Sequence, residues 1–151
     1  MENTYQRAQL YLRLALGIGF ILPVADRLGW LGPAGRNFVD WGNWENFVTY
    51  TNSLMPFFNR SMAGILGFIA TIGEAGIGLL FLIGFRIKEA AMCGFLLLLS
   101  FALCMAVFLG IKSPFNYSVL TDSAACLLLA LLPTHRWSID YHIEKMTEFS
   151  M

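Results

Sequence analysis

The run from Met62 to Gly84 constrains this chain more than any other part of it. It is almost unbroken apolar sequence with a single ionisable residue, Glu74, near its centre. A stretch of that length reads as a membrane-spanning helix, which needs roughly 20 residues to cross the hydrocarbon. A carboxyl at its centre costs about 2.5–3.5 kcal/mol on insertion scales, and more without a partner. The expectation is a buried carboxyl, paired or protonated, inside a helix bundle.

Periodicity says which way it points. At 3.6 residues per turn, Ala63, Gly67, Ala70, Glu74 and Gly78 share one face, while Ile65, Ile72, Leu79 and Ile83 lie opposite. Small residues let helices approach closely in lipid, so the small stripe faces sister helices and the bulky stripe faces acyl chains. Glu74 is on the small stripe and points inward.

Composition agrees with the bilayer as solvent. The chain is 57% hydrophobic and 13% charged, against about 25% charged in soluble domains. Ten basic and ten acidic residues balance, and nothing points to nucleic acid. Cys93, Cys104 and Cys126 each lie in apolar sequence without a C-x-x-C pair, which argues against a disulfide framework, a zinc site or a thioredoxin-like centre. His135 and His142 both follow the last apolar run, which argues against a bis-histidine haem; no metal site is expected.

The expected architecture is an all-α integral membrane four-helix bundle, one domain over residues 1–151. Its helices are expected at about 8–25, 62–84, 89–110 and 117–133. A signal peptide is the alternative for the first run, but an internal Arg13 and the lack of a small-x-small cleavage site favour a retained helix. Basic residues set the orientation. With N- and C-termini inside, Arg7, Arg86, Lys88, Arg136 and Lys145 gather on the cytoplasmic side, against Arg27, Arg36, Arg60 and Lys112 outside. The outer loop 28–60 is long for a bundle connection. Its turn-rich opening and its Trp41, Trp44, Phe47 and Tyr50 read as an amphipathic interfacial segment capping the bundle.

Four further charges are candidates. Arg13 shares a face with Gln9, Gly17 and Phe20 near the inner end of the first helix. It has two readings: a partner for Glu74, offsetting part of both desolvation costs, or a side chain snorkelling to the inner headgroups. Asp122 stands near the outer end of the fourth helix, level with Asp26 and Arg27, and the three together suggest an outer polar mouth.

Several stretches resemble the DoxX family of four-helix membrane proteins. Leu12-Arg13-Leu14-Ala15-Leu16-Gly17 is similar to its opening R-L-A-L-G. Glu74 through Gly84 is similar to the E-x-x-x-G-x-x-L-x-x-G of its second helix, and Arg136-Trp137-Ser138-Ile139-Asp140 to its closing R-x-S-x-D. Arg13 and Glu74 then match the family's membrane Arg and Glu, and Asp122 more loosely its fourth-helix acid. The chain departs from the pattern in Leu132-Pro133-Thr134-His135, where Gly-Pro-Gly is common, and in its Trp-rich first loop, which resembles the DoxD subunit of thiosulfate:quinone oxidoreductase. The resemblance implies a bacterial or archaeal cytoplasmic membrane and a link to quinone-coupled sulfur or thiol redox chemistry.

Two functions follow as expectations. In the first, the protein is an accessory or quinone-linked redox subunit. Arg13, Glu74 and Asp122 are then its hydrogen-bonding or proton-relay groups, and a partner protein or soluble thiol supplies electrons. In the second, it is a non-enzymatic membrane module that binds a lipid or small molecule or assists assembly of a membrane complex. Proton-coupled transport ranks third: no inverted repeat is visible, and one unit of this size would have to homo-oligomerise to form a path. A purely structural role for Arg13 and Glu74, fixing helix register, is the plain alternative to all of these.

Overall fold

The computed structural model describes residues 2–36 and 38–149, and every regular element among them is a helix. In chain order the helices are α1 (Glu2–Arg27), α2 (Trp44–Leu54), α3 (Arg60–Ile83), α4 (Ile87–Phe108), α5 (Ser113–Asn116), α6 (Val119–Leu131) and α7 (Ile139–Phe149). Residues Thr4–Arg27, Arg60–Ile83 and Ile87–Phe108 are long and apolar enough to cross a membrane, whereas α6 is apolar but shorter. Its 13 residues rise only about 20 Å, less than a bilayer's hydrocarbon thickness of about 30 Å. The expected fourth span of 117–133 is shortened at both ends: Leu132 is extended, and Ser118 takes a left-handed conformation, φ +57°. The preceding residues instead form the single turn of α5, started by Pro114.

Four helices meet at one end, which carries Gly84 and is the inner end in the expected orientation. There Leu16 and Phe20 of α1, Ile77 and Phe81 of α3, Ile87, Ala90 and Ala91 of α4, and Cys126 and Leu129 of α6 form one core. Phe20 packs edge-on to Phe81 with centroids 5.9 Å apart. Gly94 of α4 lies at the crossing: a Cβ there would stand 3.1 Å from the Phe20 ring and 3.2 Å from Cys126 Sγ. The bulky stripe of α3, with Ile65, Ile72, Leu79 and Ile83, is exposed, and Glu74 is buried. With Phe68, Ile69, Leu96, Leu103 and Val107 also exposed, the apolar surface is far larger than a water-soluble monomer carries and is consistent with contact with a lipid bilayer.

The inner end is tied by backbone groups. Phe85 N–H donates to Leu80 O at 3.1 Å around a left-handed Gly84, the six-to-one bond of a Schellman stop. The carboxylate of Asp140 then accepts from Arg86 N and Ile87 N, both at 2.8 Å, and so satisfies orphan donors at the start of α4. Ser138 Oγ accepts from Tyr141 N at 3.1 Å and opens α7. The Ser and Asp of the closing sequence motif are therefore caps. Gln6 Oε1 of α1 accepts from Arg136 Nη1 at 2.6 Å, which brings the first and last helices to the same end.

α1 and α6 both stop near mid-height. Arg13 is packed against Gly84, so the earlier turns of α1 project past the inner end of α3. The other end of α1 closes at Gly29, φ +78°, where Trp30 N donates to Ala25 O at 3.0 Å and Gly29 N to Asp26 O at 2.8 Å, a second Schellman stop. Beyond it the outer halves of α3 and α4 have as neighbours α2, the 28–43 loop and α5. The first loop thus descends from the surface to the middle of α3, deeper than a purely interfacial segment. At its inner reach the irregular backbone is satisfied by the Asp26 carboxylate, which accepts from the amides of residues 40–42.

Close packing of α1 on α3 depends on Gly78, where a Cβ would lie 2.9 Å from Ile21 and 3.1 Å from Gly17 O, whereas one at Gly76 meets nothing within 4 Å. Gly78→Val is expected to destabilise the protein by about 1–3 kcal/mol through overpacking. Gly76→Ala should be neutral or stabilising by up to about 1 kcal/mol through helix propensity. Thermal unfolding of both variants in mild detergent checks the contrast.

Candidate functional site

The candidate site is built on the last two residues of α1, Asp26 and Arg27. Both are buried, at 6% and 2% exposure. Arg27 Nε donates to Pro23 O at 3.0 Å, and Nη1 donates to Thr71 Oγ1 at 2.8 Å. Nη2 stands 2.8 Å from Glu74 Oε2, an ion pair whose N–H is not aligned as a hydrogen bond. Thr71 passes its own hydroxyl proton to Gly67 O at 2.7 Å. The guanidinium carbon lies 4.0 Å from the Phe47 ring centroid and 5.2 Å from that of Trp41, within range for cation–π attraction. One cation is thus held by a carboxylate, a hydroxyl, a carbonyl and two aromatic faces, level with the middle of α3.

Asp26 organises the loop that brings those aromatics. Its Oδ1 accepts from Gly42 N at 2.7 Å and Trp41 N at 3.2 Å, and its Oδ2 from Asp40 N at 2.9 Å. The chain can make this bend because Gly42 is left-handed, φ +63°, and a side chain there would collide with the backbone of residues 32–34. From the bend, Asn43 caps α2 by accepting from Asn46 N at 2.9 Å. The helix then lays Phe47 against Gly67, where a Cβ would lie 2.9 Å from the ring. Burial, and then the nearby Asp26 charge, push the Asp40 carboxyl above the usual carboxylate range. Burial pushes the Tyr50 phenol up to about 12, with smaller contributions from Tyr117 and Asp40.

An open cleft of about 990 Å³ reaches this cluster from the side, with Arg27 and Thr71 among its lining residues. One wall is Gly42, Trp44 and Val48; the other is Gly64, Ile65 and Phe68 of α3. Ile65 and Phe68 belong to the exposed apolar surface, so the cleft opens toward it. An exposed ion pair, Glu45 with Arg60 at 2.5 Å, stands at its rim.

The candidates read from the sequence are redistributed. Arg13, Glu74 and Asp122 do not form one cluster. Arg13 donates from Nη2 to Trp137 O at 2.9 Å and sits beside Gly84, ten residues or about 15 Å along α3 from Glu74. It does not pair with Glu74. It is buried beside Gln9, and Arg13 Nε and Nη1 and the Gln9 amide have no hydrogen-bond partner among the described residues. Asp122 is exposed on α6, near the height of Phe95, whose carbonyl accepts from Ser123 Oγ at 3.1 Å. Asp26 and Arg27 are buried, with Trp41 and Phe47 over the guanidinium, whereas Asp122 is exposed, so the three do not share an open mouth. The residues missed were Arg27 as the partner of Glu74, Thr71 one turn before it, and Asp140 as a cap. Thr71 was signalled by its polarity within the apolar run.

A buried pair that loses one partner leaves an uncompensated charge, at a cost of about 3–5 kcal/mol. Arg27→Met and Glu74→Leu are each expected to destabilise by that amount, and the double variant by less than the sum. Unfolding in detergent across this double-mutant cycle measures the coupling. No protein-family model, no curated protein and no solved structure matches this chain.

Proposed function

We propose that this protein is a multi-pass membrane protein, N- and C-termini inside, that holds a lipid-soluble carbonyl compound, a quinone, in the lateral cleft ending on Arg27. One observation carries the reading: a buried, always-charged guanidinium lies at the base of a mostly apolar cleft that opens toward the apolar exterior near mid-height of α3. A molecule partitioned in lipid enters such a cleft without crossing water, and its ring and tail replace lipid contacts with Val48, Ile65 and Phe68. Of the five guanidinium N–H groups, two serve Pro23 and Thr71, and the Nη2 end pairs with Glu74. The remaining donors suit a carbonyl oxygen.

Glu74 does not line the cleft. It stands behind Arg27 and acts through it, holding the guanidinium in place and keeping the site near neutral so that an uncharged ligand is welcome. In this reading, which the resemblance to the DoxX family suggests, the protein is an accessory or quinone-linked subunit in sulfur or thiol redox chemistry in a bacterial or archaeal cytoplasmic membrane. The electron donor is a partner protein or a soluble thiol or sulfur compound. One observation favours the second reading, a binding module without turnover: Cys93, Cys104 and Cys126 are unpaired and none lines the cleft. The chain then brings no thiol of its own to the bound molecule.

Gly64 offers a test that leaves the ion pair alone. A Cβ there would meet only the Val48 methyls, at 3.9 Å, so a larger side chain grows into the cleft. Wild-type protein purified in mild detergent is expected to carry quinone detectable by mass spectrometry. Gly64→Leu should carry about tenfold less with an unchanged melting temperature. Wild-type protein carrying no quinone above the detergent blank would overturn the assignment.

A further inference from the structure

A second groove lies at the inner end, away from the Arg27 cleft. It has a volume of about 760 Å³ and runs between the end of α3 at Ile83 and the start of α7. Trp137, Ile139 and Ile143 give it an apolar side; Arg136, Tyr141 and Lys145 give it a polar one. The polar side is cationic: the Arg136 guanidinium and the Lys145 ammonium stand 5.9 Å and 5.4 Å from the Tyr141 ring centroid. A hydrogen bond from Arg136, helped by Lys145, draws the Tyr141 phenol below its ordinary range.

The sequence of α7 shows why this side is the cationic one. Ile139, Ile143 and Met146 recur at i, i+4 and i+7 and form one stripe. All three are exposed, at 44%, 50% and 66%. His142 and Lys145 flank the stripe on one side, Asp140 and Glu144 on the other. The acidic flank is turned to internal work, since the Asp140 carboxylate is taken up by the first amides of α4. The basic flank, together with Arg136, borders the groove.

We propose that this groove seats an anionic phospholipid of the inner leaflet, its phosphate on Lys145 and Arg136 and its acyl chains along Trp137, Ile139 and Ile83. An amphipathic helix with an exposed apolar stripe lies in the plane of a membrane interface, and this one is attached where α3 leaves the bundle. A phosphate there meets cations on the side away from Asp140 and Glu144, while the chains continue onto the exposed apolar surface of α3. Arg136 already bonds Gln6, so a bound phosphate would also brace α1 against the last turn of the chain. The inference rests on the membrane assignment above but not on the quinone: a protein that carries no quinone leaves it intact, and loss of the lipid leaves the Arg27 cleft intact.

The test is native mass spectrometry of the full chain released from detergent with phosphatidylglycerol or phosphatidylcholine of the same acyl chains. Wild-type protein is expected to retain phosphatidylglycerol preferentially. Lys145→Gln should lower that retention about fivefold, the worth of one basic side chain at an anionic surface, with unchanged thermal stability. Glu144→Gln, on the opposite flank, should keep it. Equal retention of the two lipids, or unchanged retention in Lys145→Gln, would overturn the proposal. Displacement of the lipid by millimolar inorganic phosphate would also overturn it, by showing a phosphate site to which acyl chains contribute nothing.

Discussion

A single cation held across two helices governs this structure. Arg27 closes α1 and reaches Thr71 and Glu74 at the middle of α3, and nearly every feature of the outer half follows from that contact. A charge in an apolar bundle is tolerated only when its surroundings compensate it. Compensation here draws on four elements: a carboxylate and a hydroxyl from α3, a carbonyl from α1, an aromatic face from α2 and another from the preceding loop. The neighbouring Asp26 supplies the reason the loop is present at all, because its carboxylate holds the amides of residues 40–42. Two adjacent residues of opposite charge thus do complementary work: one ties α1 to α3, the other folds the loop that seals the tie.

The halves of the bundle differ in what holds them. In the inner half, four helices share a continuous apolar core and the turns are closed by backbone bonds and caps around Gly84, Ser138 and Asp140. In the outer half, α1 and α6 have ended and shorter pieces replace them. Aromatic contacts carry much of the packing there: Trp41 with Phe47 at 5.3 Å, Trp44 with Phe68 at 6.4 Å, Phe57 with Phe108 at 5.7 Å. Rings in edge-on and tilted arrangements join elements that cannot interlock as ridges and grooves. The same loosened packing leaves room for a cleft.

Much of this was legible in the sequence, and the boundary of legibility has a physical cause. The inward face of α3 was readable because lipid and protein impose opposite preferences on one 3.6-residue period, so Gly67, Glu74 and Gly78 separate from Ile65, Ile72 and Leu79 without knowledge of any partner. The identity of Glu74's partner was not, because it depends on the vertical register of α1 against α3. That register is set where Gly17 meets Gly78 and Arg13 meets Gly84, contacts between residues more than sixty positions apart in sequence. Once Arg13 is level with Gly84, the rest is arithmetic. Arg27 lies about 21 Å above that level and Glu74 about 15 Å, a difference an arginine side chain covers. Assigning Asp140 as the cap of α4 required tertiary knowledge of the same kind, since a motif shows its residue types but not the helix whose amides they satisfy.

The early end of α1 explains why pair, loop and cleft occur together. The Schellman stop at Gly29 is written locally, in a left-handed glycine followed by Trp30, and it halts the helix near the midpoint of its neighbour. Had α1 continued outward, its next turns would occupy the volume now held by Trp41, Phe47 and the open cleft, and Arg27 would be one more interior helix residue beside Glu74. Ending there exposes the last-turn cation to a space that the loop fills only in part. A helix terminus is where a bundle can present a charge sideways at depth, because the missing continuation leaves both the vacancy and the polar chain needed to line it. The mid-height cation and lateral opening are therefore one structural decision, made by the residues from Asp26 to Trp30.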